Sequence, residues 1–538
     1  MKITSYRTTM LAAVAALGLG VAASNPAHAV TLKYAFQGDL NALDGYTLNE
    51  SFTLGALGNV YEGLTKRDKD LKIIPGLAEK WEVVEPTRWR FTLRKGVKFQ
   101  GGEDFTADDV LFSLDRMRSP DSQIKSRAPA DMKAVKIDDH TVDFILTSPN
   151  PILNAAWDTW YMMSKKWCEE NGATQAMSAK STSLSAAALK ANGTGPFSVV
   201  SHEPGVKTVF KKNDKWWGKP EHNLDDVIFT TIKSDATRVA ALLSGEVDLI
   251  EPVPVQDMER INADAKSMVL TGPELRTIFL NFDSFRDELK YATIKGEPIK
   301  GKNPFKDARV RRAFYMAIDI EAIKTKVMRN TAVPSAILIS PLLFSGASAF
   351  TRQPLDIEGG KKLMAEAGYA DGFELRMDCP NDRYVNDAAI CQAAAAMLSK
   401  INVKVTLNAQ PKAKFFEFAG PTGKYDSSFN MLGWTPGTMD SHNVLADIAG
   451  CRDADGKGAQ FNYGGYCNPK VDALAKQIIG ENDKAKRDAM ITEAFKIIAD
   501  EVGVLPLHQQ SLAWGVSKSV TIPQRADDHI LFYWAQKK

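Results

Sequence analysis

An Arg-Tyr pair in this chain has the residue types and the position to bind an anionic group. Arg383 and Tyr384 follow the strand-like run FELRMDC (373–379) and precede a helix-like segment. A helix N-terminus presents backbone N–H groups and the positive end of the helix dipole, and a guanidinium can bind a carboxylate through two hydrogen bonds. The pair therefore predicts a binding site for a ligand carboxylate.

The stretch GWTPGTMDSHN (433–443) is the second candidate and follows the strand-like run SSFNMLGW (427–434). Ligands of open α/β sheets bind beyond the carboxyl ends of the strands. If this strand joins the same sheet in parallel, Trp434 lies at the same edge as the Arg-Tyr pair. An indole can stack on a sugar or cover an apolar side chain. From the pattern alone, it remains equally open that Trp434 fills the core and Arg383 is solvated.

Strand-helix-strand units must position these residues. Ser234 is a suitable N-cap and Gly245 a suitable end for an apolar-striped helix between two strand-like runs. A second helix, up to residue 401, carries one apolar stripe and precedes an alternating strand. Such units predict a mixed α/β fold. The first unit consists of a strand (225–232), a helix (234–247) and a second strand (248–253). The second unit consists of a strand (373–379), the second helix and a strand (403–408).

Motifs of the common catalytic and metal sites are missing from the sequence. It has no GxxxxGK[ST] or GxSxG motif, no GxGxxG outside the N-terminal segment, no HExxH and no Cys/His cluster at zinc spacing. We therefore expect no cofactor, no metal ion and no enzymatic activity. An exported hydrolase with a dispersed site and a periplasmic chaperone or sensor remain alternatives.

The N-terminal residues have the pattern of a secretory signal peptide. Lys2 and Arg7 precede an apolar stretch (10–23), and Ala27-His28-Ala29 has the small-x-small pattern of a cleavage site. We expect cleavage after Ala29 and a periplasmic location. The chain has 67 Lys and Arg against 65 Asp and Glu, so without Lys2 and Arg7 it carries 65 of each. This neutral balance disfavours nucleic acid or an anionic membrane as a partner.

Five cysteines fit an oxidising compartment with a few disulfides. Cys451 and Cys467 flank a Gly/Asp/Asn-rich segment and predict a stapled loop. Cys379 ends a strand and Cys391 lies in the first turns of the following helix, so they are a possible second pair. The alternative is that both are buried free thiols. Cys168 is expected to be free.

Six further segments together resemble the periplasmic dipeptide/oligopeptide-binding proteins, which are family 5 solute-binding proteins of peptide and nickel ABC importers. The resemblance runs from about residue 31 to the C-terminus. The segments are PGLAEKWEV (75–83), TRWRFTLRKGVKFQGGEDFTADDVLFSLDR (87–116), GTGPF (193–197), KNDKWWGK (212–219), RVAALLSGEVDLIEPVP (238–254) and NPFKDARVRRAFYMAIDIEAI (303–323).

The resemblance implies a large, two-lobed periplasmic-binding-protein fold (cluster C-like) that closes on its ligand. Its implied boundaries are a signal peptide (1–29), lobe I (30–280) with an inserted subdomain (about 60–190), lobe II (281–504) and a C-terminal return to lobe I (505–538). The implied function is that of a monomeric receptor that delivers a peptide or peptide-like solute to an ABC permease. Closure follows from the ligand's higher affinity for the closed form.

The resemblance also implies roles for individual residues. Arg383 and Tyr384 match a pair that binds the ligand carboxylate, and Trp434 and Thr435 are expected to line the same site. Gly437 stands where relatives have an acid that holds the peptide α-amino group. A buried ammonium without a carboxylate partner is strongly disfavoured.

Three nearby residues are the remaining candidates for the ligand site. Asp440 is the nearest acid after Gly437, Glu50 could supply the missing charge, and Asn49 could hydrogen-bond a neutral ligand. An oligosaccharide, an opine or another amine-free solute is therefore the alternative ligand.

Overall fold

The computed structural model describes residues 29–177, 185–452 and 458–538. The predicted signal peptide lies outside these residues, apart from Ala29. Within the described ranges, no helix is both long and apolar enough to cross a membrane.

The strands of the described residues are β1 (Thr31–Phe36), β2 (Thr65–Arg67), β3 (Ile73–Pro75), β4 (Ala78–Glu85), β5 (Arg88–Leu93), β6 (Lys133–Asp138), β7 (Thr141–Ile145), β8 (Phe197–Glu203), β9 (Lys207–Lys212), β10 (Asp226–Thr231), β11 (Leu249–Glu251), β12 (Ser267–Phe282), β13 (Ala292–Ile294), β14 (Glu297–Pro298), β15 (Ala332–Pro334), β16 (Phe373–Pro380), β17 (Val403–Gln410), β18 (Phe429–Trp434), β19 (Val504–Ser517), β20 (Val520–Thr521) and β21 (Gln536–Lys537).

The α-helices of the same residues are α1 (Ser51–Leu57), α2 (Ala107–Met117), α3 (Lys165–Glu170), α4 (Ala186–Leu189), α5 (Asp235–Ser244), α6 (Met258–Asn262), α7 (Ala308–Ala317), α8 (Ile320–Ala322), α9 (Ile357–Glu366), α10 (Asp387–Leu398), α11 (Lys412–Ala419), α12 (Ser441–Asp447), α13 (Pro469–Ile478) and α14 (Lys484–Asp500).

One large mixed sheet runs through the molecule. Its strand order is β14-β13-β16-β18-β12-β19-β11-β1-β10-β9-β8, with β17 beside β16 and β15 beside β19. A separate four-stranded sheet, β4-β5-β7-β6, lies within the range predicted for the inserted subdomain. The fold is the predicted two-lobed α/β architecture.

The apolar cores divide the chain into two lobes. One core combines residues between Leu32 and Leu249 with residues between Trp514 and Ala535, and a smaller cluster extends it to Val269. Two further cores take almost all of their residues from 278–507. We call residues 30–270 with 513–538 lobe I, and residues 278–507 lobe II. The antiparallel strands β12 and β19 pass from one lobe to the other, with a shift of register between Pro273 and Thr277.

Both predicted strand-helix-strand units are confirmed. Ser234 caps α5 by accepting a hydrogen bond from the Thr237 N–H, and Gly245 ends this helix with a left-handed φ of 80°. The flanking strands β10 and β11 both pair in parallel with β1, which lies between them. In the second unit, β16 and β17 pair in parallel over their whole length.

The cysteines pair as the sequence suggests. Cys451 is bonded to Cys467, and Cys379 is bonded to Cys391, which settles the pair that the sequence left open. Cys168 is a buried free thiol. The second disulfide ties the end of β16 to the first turns of α10 and so stiffens the loop that carries Arg383.

Candidate functional site

A cavity of about 570 Å³ lies between the two lobes and is lined by residues of both. Lobe II contributes the carboxyl ends of three neighbouring strands, β16, β17 and β18, of which β16 pairs in parallel with the other two. Arg383 follows the first strand, Lys412 follows the second, and Trp434 ends the third. The sheet-edge prediction is therefore confirmed for the position of Arg383, Tyr384 and Trp434.

Acidic side chains fix the loop that carries Arg383. The Asp387 carboxylate accepts hydrogen bonds from the backbone N–H groups of Arg383 and Tyr384, at 2.9 and 3.1 Å. Asp382 accepts one from the Lys412 N–H at the start of α11. The backbone donors that the sequence argument offered to a ligand anion are thus occupied, which leaves the Arg383 side chain as the predicted anion-binding group.

Charges of both lobes meet at Glu50. Its Oε1 atom lies 3.3 Å from the Arg383 guanidinium and 3.9 Å from the Lys412 ammonium, and no more than 9% of any of the three side chains is exposed. Its Oε2 atom accepts hydrogen bonds from the Thr53 N–H and hydroxyl and so caps α1. Burial acts to raise the pKa of Glu50, but Lys412, Arg383 and Thr53 outweigh it and lower this pKa to about 2.

Two atoms of this cluster have no hydrogen-bond partner among the described residues: Glu50 Oε1 and Lys412 Nζ. Each belongs to a side chain that lines the cavity. Buried polar atoms in native proteins are normally hydrogen-bonded, so an unbonded donor beside an unbonded acceptor is an exception that needs a partner. A ligand with both a carbonyl or carboxylate oxygen and an N–H group can provide one for each.

Gly433 makes room for Tyr384. A Cβ atom at Gly433 would lie 2.7 Å from the Tyr384 ring and 2.7 Å from Ile278. The Tyr384 hydroxyl donates a hydrogen bond to the Gly433 carbonyl at 3.2 Å. The glycine of the Gly-Trp pair is therefore required by close packing, and the tyrosine that it admits lines the cavity.

Asn443 orients the opposite end of the same stretch. Its Oδ1 atom accepts hydrogen bonds from the Trp434 indole N–H at 2.9 Å and the Gly437 N–H at 3.1 Å. Its Nδ2 atom donates to the carboxylate of Asp447, at the end of α12, at 2.6 Å. The Trp434 ring also packs on Phe461, with 4.7 Å between ring centroids. The turn is therefore a fixed part of the cavity wall.

Asp440 is placed outside the cavity, unlike the other candidates of the sequence analysis. Its carboxylate receives hydrogen bonds from both terminal nitrogens of Arg487, at 2.9 and 2.7 Å, and caps α12 through the His442 N–H. It lines a separate groove. Because both carboxylate oxygens are already engaged, Asp440 cannot replace the acid that is missing at Gly437.

Two arginines lie near the lobe interface, beside the remaining candidates. Arg127 donates a hydrogen bond to Asn49 Oδ1 at 3.1 Å, and its guanidinium would lie 3.8 Å from a Cβ atom at Gly437. Arg276, on β12, is within hydrogen-bond distance of Ser51 in lobe I and Thr435 in lobe II, at 3.4 and 3.3 Å. The cavity therefore has cations on several sides.

The sequence argument missed several cavity residues. Lys412 could have been found, because it follows β17, a strand of the sheet whose edge had already been singled out. Asn443 and Asp447 stand four residues apart on the helix that begins in GWTPGTMDSHN, so helical spacing places them on one face. Arg127 and Arg276 carry no local signal, since their positions depend on how distant segments pack.

Three comparisons place the chain among known proteins. The model of the family "Bacterial extracellular solute-binding proteins, family 5 Middle" matches residues 72–456. The glutathione-binding protein GsiB of Salmonella typhimurium is 25% identical over 517 residues, which cover 94% of this chain and 95% of that protein.

Solved structures show the same fold. The periplasmic binding protein DppA of Helicobacter pylori, in complex with the peptide STSA, superposes with a TM-score of 0.80 at 21% identity, over 94% of this chain and 98% of that one. The binding protein AgaA from A.tumefacien R10, in complex with agropinic acid, superposes with a TM-score of 0.78 at 23% identity, over 94% and 99% of the two chains.

Proposed function

Because this chain belongs to family 5 of the bacterial extracellular solute-binding proteins, we propose that it is the receptor of an ABC importer for a peptide or peptide-like solute. The solute binds between the lobes, is released unchanged to a permease in the inner membrane, and undergoes no reaction. The similarity to GsiB and the peptide in the Helicobacter pylori structure support a peptide as the first ligand to test.

The observation that carries this proposal is the cluster of Glu50, Arg383 and Lys412 in the cavity wall. One of these charges belongs to lobe I and two to lobe II, so a ligand that contacts them contacts both lobes. A ligand shifts an equilibrium between open and closed forms by its difference in affinity for them. A ligand that gives an oxygen acceptor to the Lys412 ammonium and an N–H donor to Glu50 Oε1 would contact both lobes and so favour the closed form.

The decisive experiment is native mass spectrometry of the protein purified from its own periplasm. The expected result is a co-purifying peptide or peptide-like molecule with a carboxylate, and lower affinity of that molecule for Arg383→Ala by calorimetry. A co-purifying ligand without a carboxylate, or unchanged affinity in the variant, would contradict the assignment of the site. Conversion of the ligand to a product during a long incubation would contradict a pure receptor role.

An opine or another amine-free solute is the second candidate ligand. The specific observation is that Gly437 offers no carboxylate and that the Arg127 guanidinium lies close to it. The agropinic acid complex of AgaA shows that this fold can hold an opine. Calorimetry with free opines and with free peptides would separate the two candidates.

The finer points of the receptor assignment are also proposals. They comprise cleavage after Ala29, the lobe boundaries 30–280, 281–504 and 505–538, and a monomeric state. N-terminal sequencing, limited proteolysis and light scattering test them in turn.

A further inference from the structure

Among the described residues, one carboxylate of the cavity wall has an amide donor but no cationic partner. Asp447, the last residue of α12, lines the cavity and is partly buried. Asn443 is its hydrogen-bond donor, and among the described residues no cationic nitrogen forms an ion pair with it. A carboxylate at the C-terminal end of a helix also faces the negative end of the helix dipole.

Other acids of the cavity wall are already paired. Asp44 forms an ion pair with Arg116 at 2.6 Å, and Asp158 forms one with Arg67 at 3.2 Å. Glu50 faces two cations, so an ammonium brought to it would be repelled by Arg383 and Lys412. Asp447 differs from these acids because none of the described cationic nitrogens forms an ion pair with it, and the charge of Arg127 acts on it only from a longer distance.

The position of Asp447 is fixed rather than adaptable. Asn443 accepts hydrogen bonds from two donors, the Trp434 indole and the Gly437 N–H, so its Nδ2 atom is held toward Asp447. One carboxylate oxygen of Asp447 therefore has a donor in place. Gly437 contributes no side chain beyond its Cα, and the nearest side-chain atoms to a Cβ placed there are the Arg127 guanidinium nitrogens, at 3.8 and 3.9 Å.

We propose that Asp447 binds a cationic group of the ligand, an ammonium or a comparable N–H cation, while Arg383 and Lys412 bind its carboxylate. The ligand class is then a zwitterion, and the acid absent at Gly437 is replaced by one ten residues later. This inference deepens the proposed receptor function and depends on it.

The electrostatic environment of Asp447 agrees with this role. Burial raises the pKa of Asp447 to about 7, and the Asn443 side chain and the Arg127 guanidinium, from the Lys125–Arg127 segment, only partly oppose it. Near neutral pH a fraction of the empty sites is therefore protonated. A cationic ligand favours the ionised form, so binding should release protons at pH 7.

Asp447→Asn tests the inference, because asparagine keeps the size and can still accept the hydrogen bond from Asn443. Asp371→Asn is the matched control, since Asp371 is an exposed acid of lobe II with 81% of its side chain accessible. The probes are an equimolar library of di- and tripeptides and the same library after N-acetylation, each detected by native mass spectrometry and then ranked by calorimetry.

We expect the wild type and Asp371→Asn to prefer free-amine peptides by at least about tenfold, the size typical of a buried charge pair. Asp447→Asn should lose this preference while keeping its affinity for acetylated peptides. Calorimetry in two buffers of different ionisation enthalpy should show proton release in the wild type and none in Asp447→Asn, a difference that a purely structural role would not produce.

Two outcomes separate this inference from the receptor function. Equal binding of free and acetylated peptides by the wild type, or an unchanged preference in Asp447→Asn, would overturn the role of Asp447 and leave the receptor function standing. Absence of binding to either library, together with no co-purifying peptide, would refute the peptide-receptor function and the role of Asp447 with it.

Discussion

Replacing Glu50 with glutamine should destabilise the protein in a way that depends on pH. Glutamine keeps the shape of the side chain, and its carbonyl oxygen can still accept the hydrogen bonds from Thr53 that cap α1. The substitution therefore removes mainly the negative charge that faces Arg383 and Lys412. The expected loss can be worked out from the pKa of Glu50.

The pKa of Glu50 falls from its ordinary value of 4.5 to about 2 in the folded protein. Each pKa unit corresponds to about 1.4 kcal/mol, so the charged form contributes about 3 kcal/mol at neutral pH. Removal of one partner of a buried ion pair costs about 3–5 kcal/mol in other proteins, which agrees. Because the folded pKa is the lower one, this contribution is complete above pH 4.5 and disappears as the pH falls to 2.

Urea unfolding followed by tryptophan fluorescence measures the effect at several pH values. At pH 7, Glu50→Gln should lower the free energy of unfolding by about 3 kcal/mol without a change in slope. The difference from the wild type should shrink below pH 4.5. Glu358→Gln is the matched control: Glu358 is 82% exposed and pairs with Lys361 on the surface, where such pairs contribute about 1 kcal/mol or less.

Two results would refute this reasoning. The first is an unfolding midpoint of Glu50→Gln equal to that of the wild type at pH 7. The second is a difference that persists undiminished at the lowest pH. Affinity provides an independent check: Arg383 and Lys412 lose their counter-charge in this variant, so a carboxylate ligand should bind more tightly, whereas a role of Glu50 as ammonium partner would weaken binding.

Three further predictions concern the surroundings of the site. Asp440→Ala removes a helix cap and the partner of Arg487, so the free energy of unfolding should fall by about 1–2 kcal/mol. Calorimetry should show a ligand affinity within about twofold of the wild type. A larger loss of affinity would mean that Asp440 contributes to the ligand site. The double variant Cys379→Ser/Cys391→Ser opens a link between residues 12 apart and should lose about 3 kcal/mol in urea unfolding, with an unchanged midpoint as the contrary result. Asn443→Leu deprives the indole N–H of its acceptor, so the near-ultraviolet circular dichroism should change and ligand affinity should fall, and an unaltered spectrum would contradict the orienting role.

Local patterns predict much of the lobe II framework. The strands β16 and β17 alternate apolar and polar residues and α10 carries an apolar stripe, and a parallel arrangement of β16, β17 and β18 brings the ends of these strands together. Arg383, Tyr384 and Trp434 were predictable for this reason. The same argument, applied to the end of β17, predicts that Lys412 lies at this edge as well.

Contacts between distant segments were not predictable. Asp440 was singled out because it is the acid nearest to Gly437 in the sequence, but Arg487, 47 residues away, binds it. Glu50 was considered as a partner for a ligand cation, but Arg383 and Lys412 neutralise it. In both cases the outcome depends on which oppositely charged residue packs nearby, and spacing along the chain carries no information about that.

The paired strands β12 and β19 have a mechanical consequence for ligand entry. Two single-stranded linkers would let the lobes twist and slide in several directions, whereas a hydrogen-bonded ribbon resists both. Its ladder is interrupted between Pro273 and Thr277, so we expect opening to be a rotation about one axis near these residues. Arg276 lies within the interruption and reaches Ser51 and Thr435. A single opening angle would then describe the whole motion. The residues around Arg276 would determine this angle and would also hold the two lobes together.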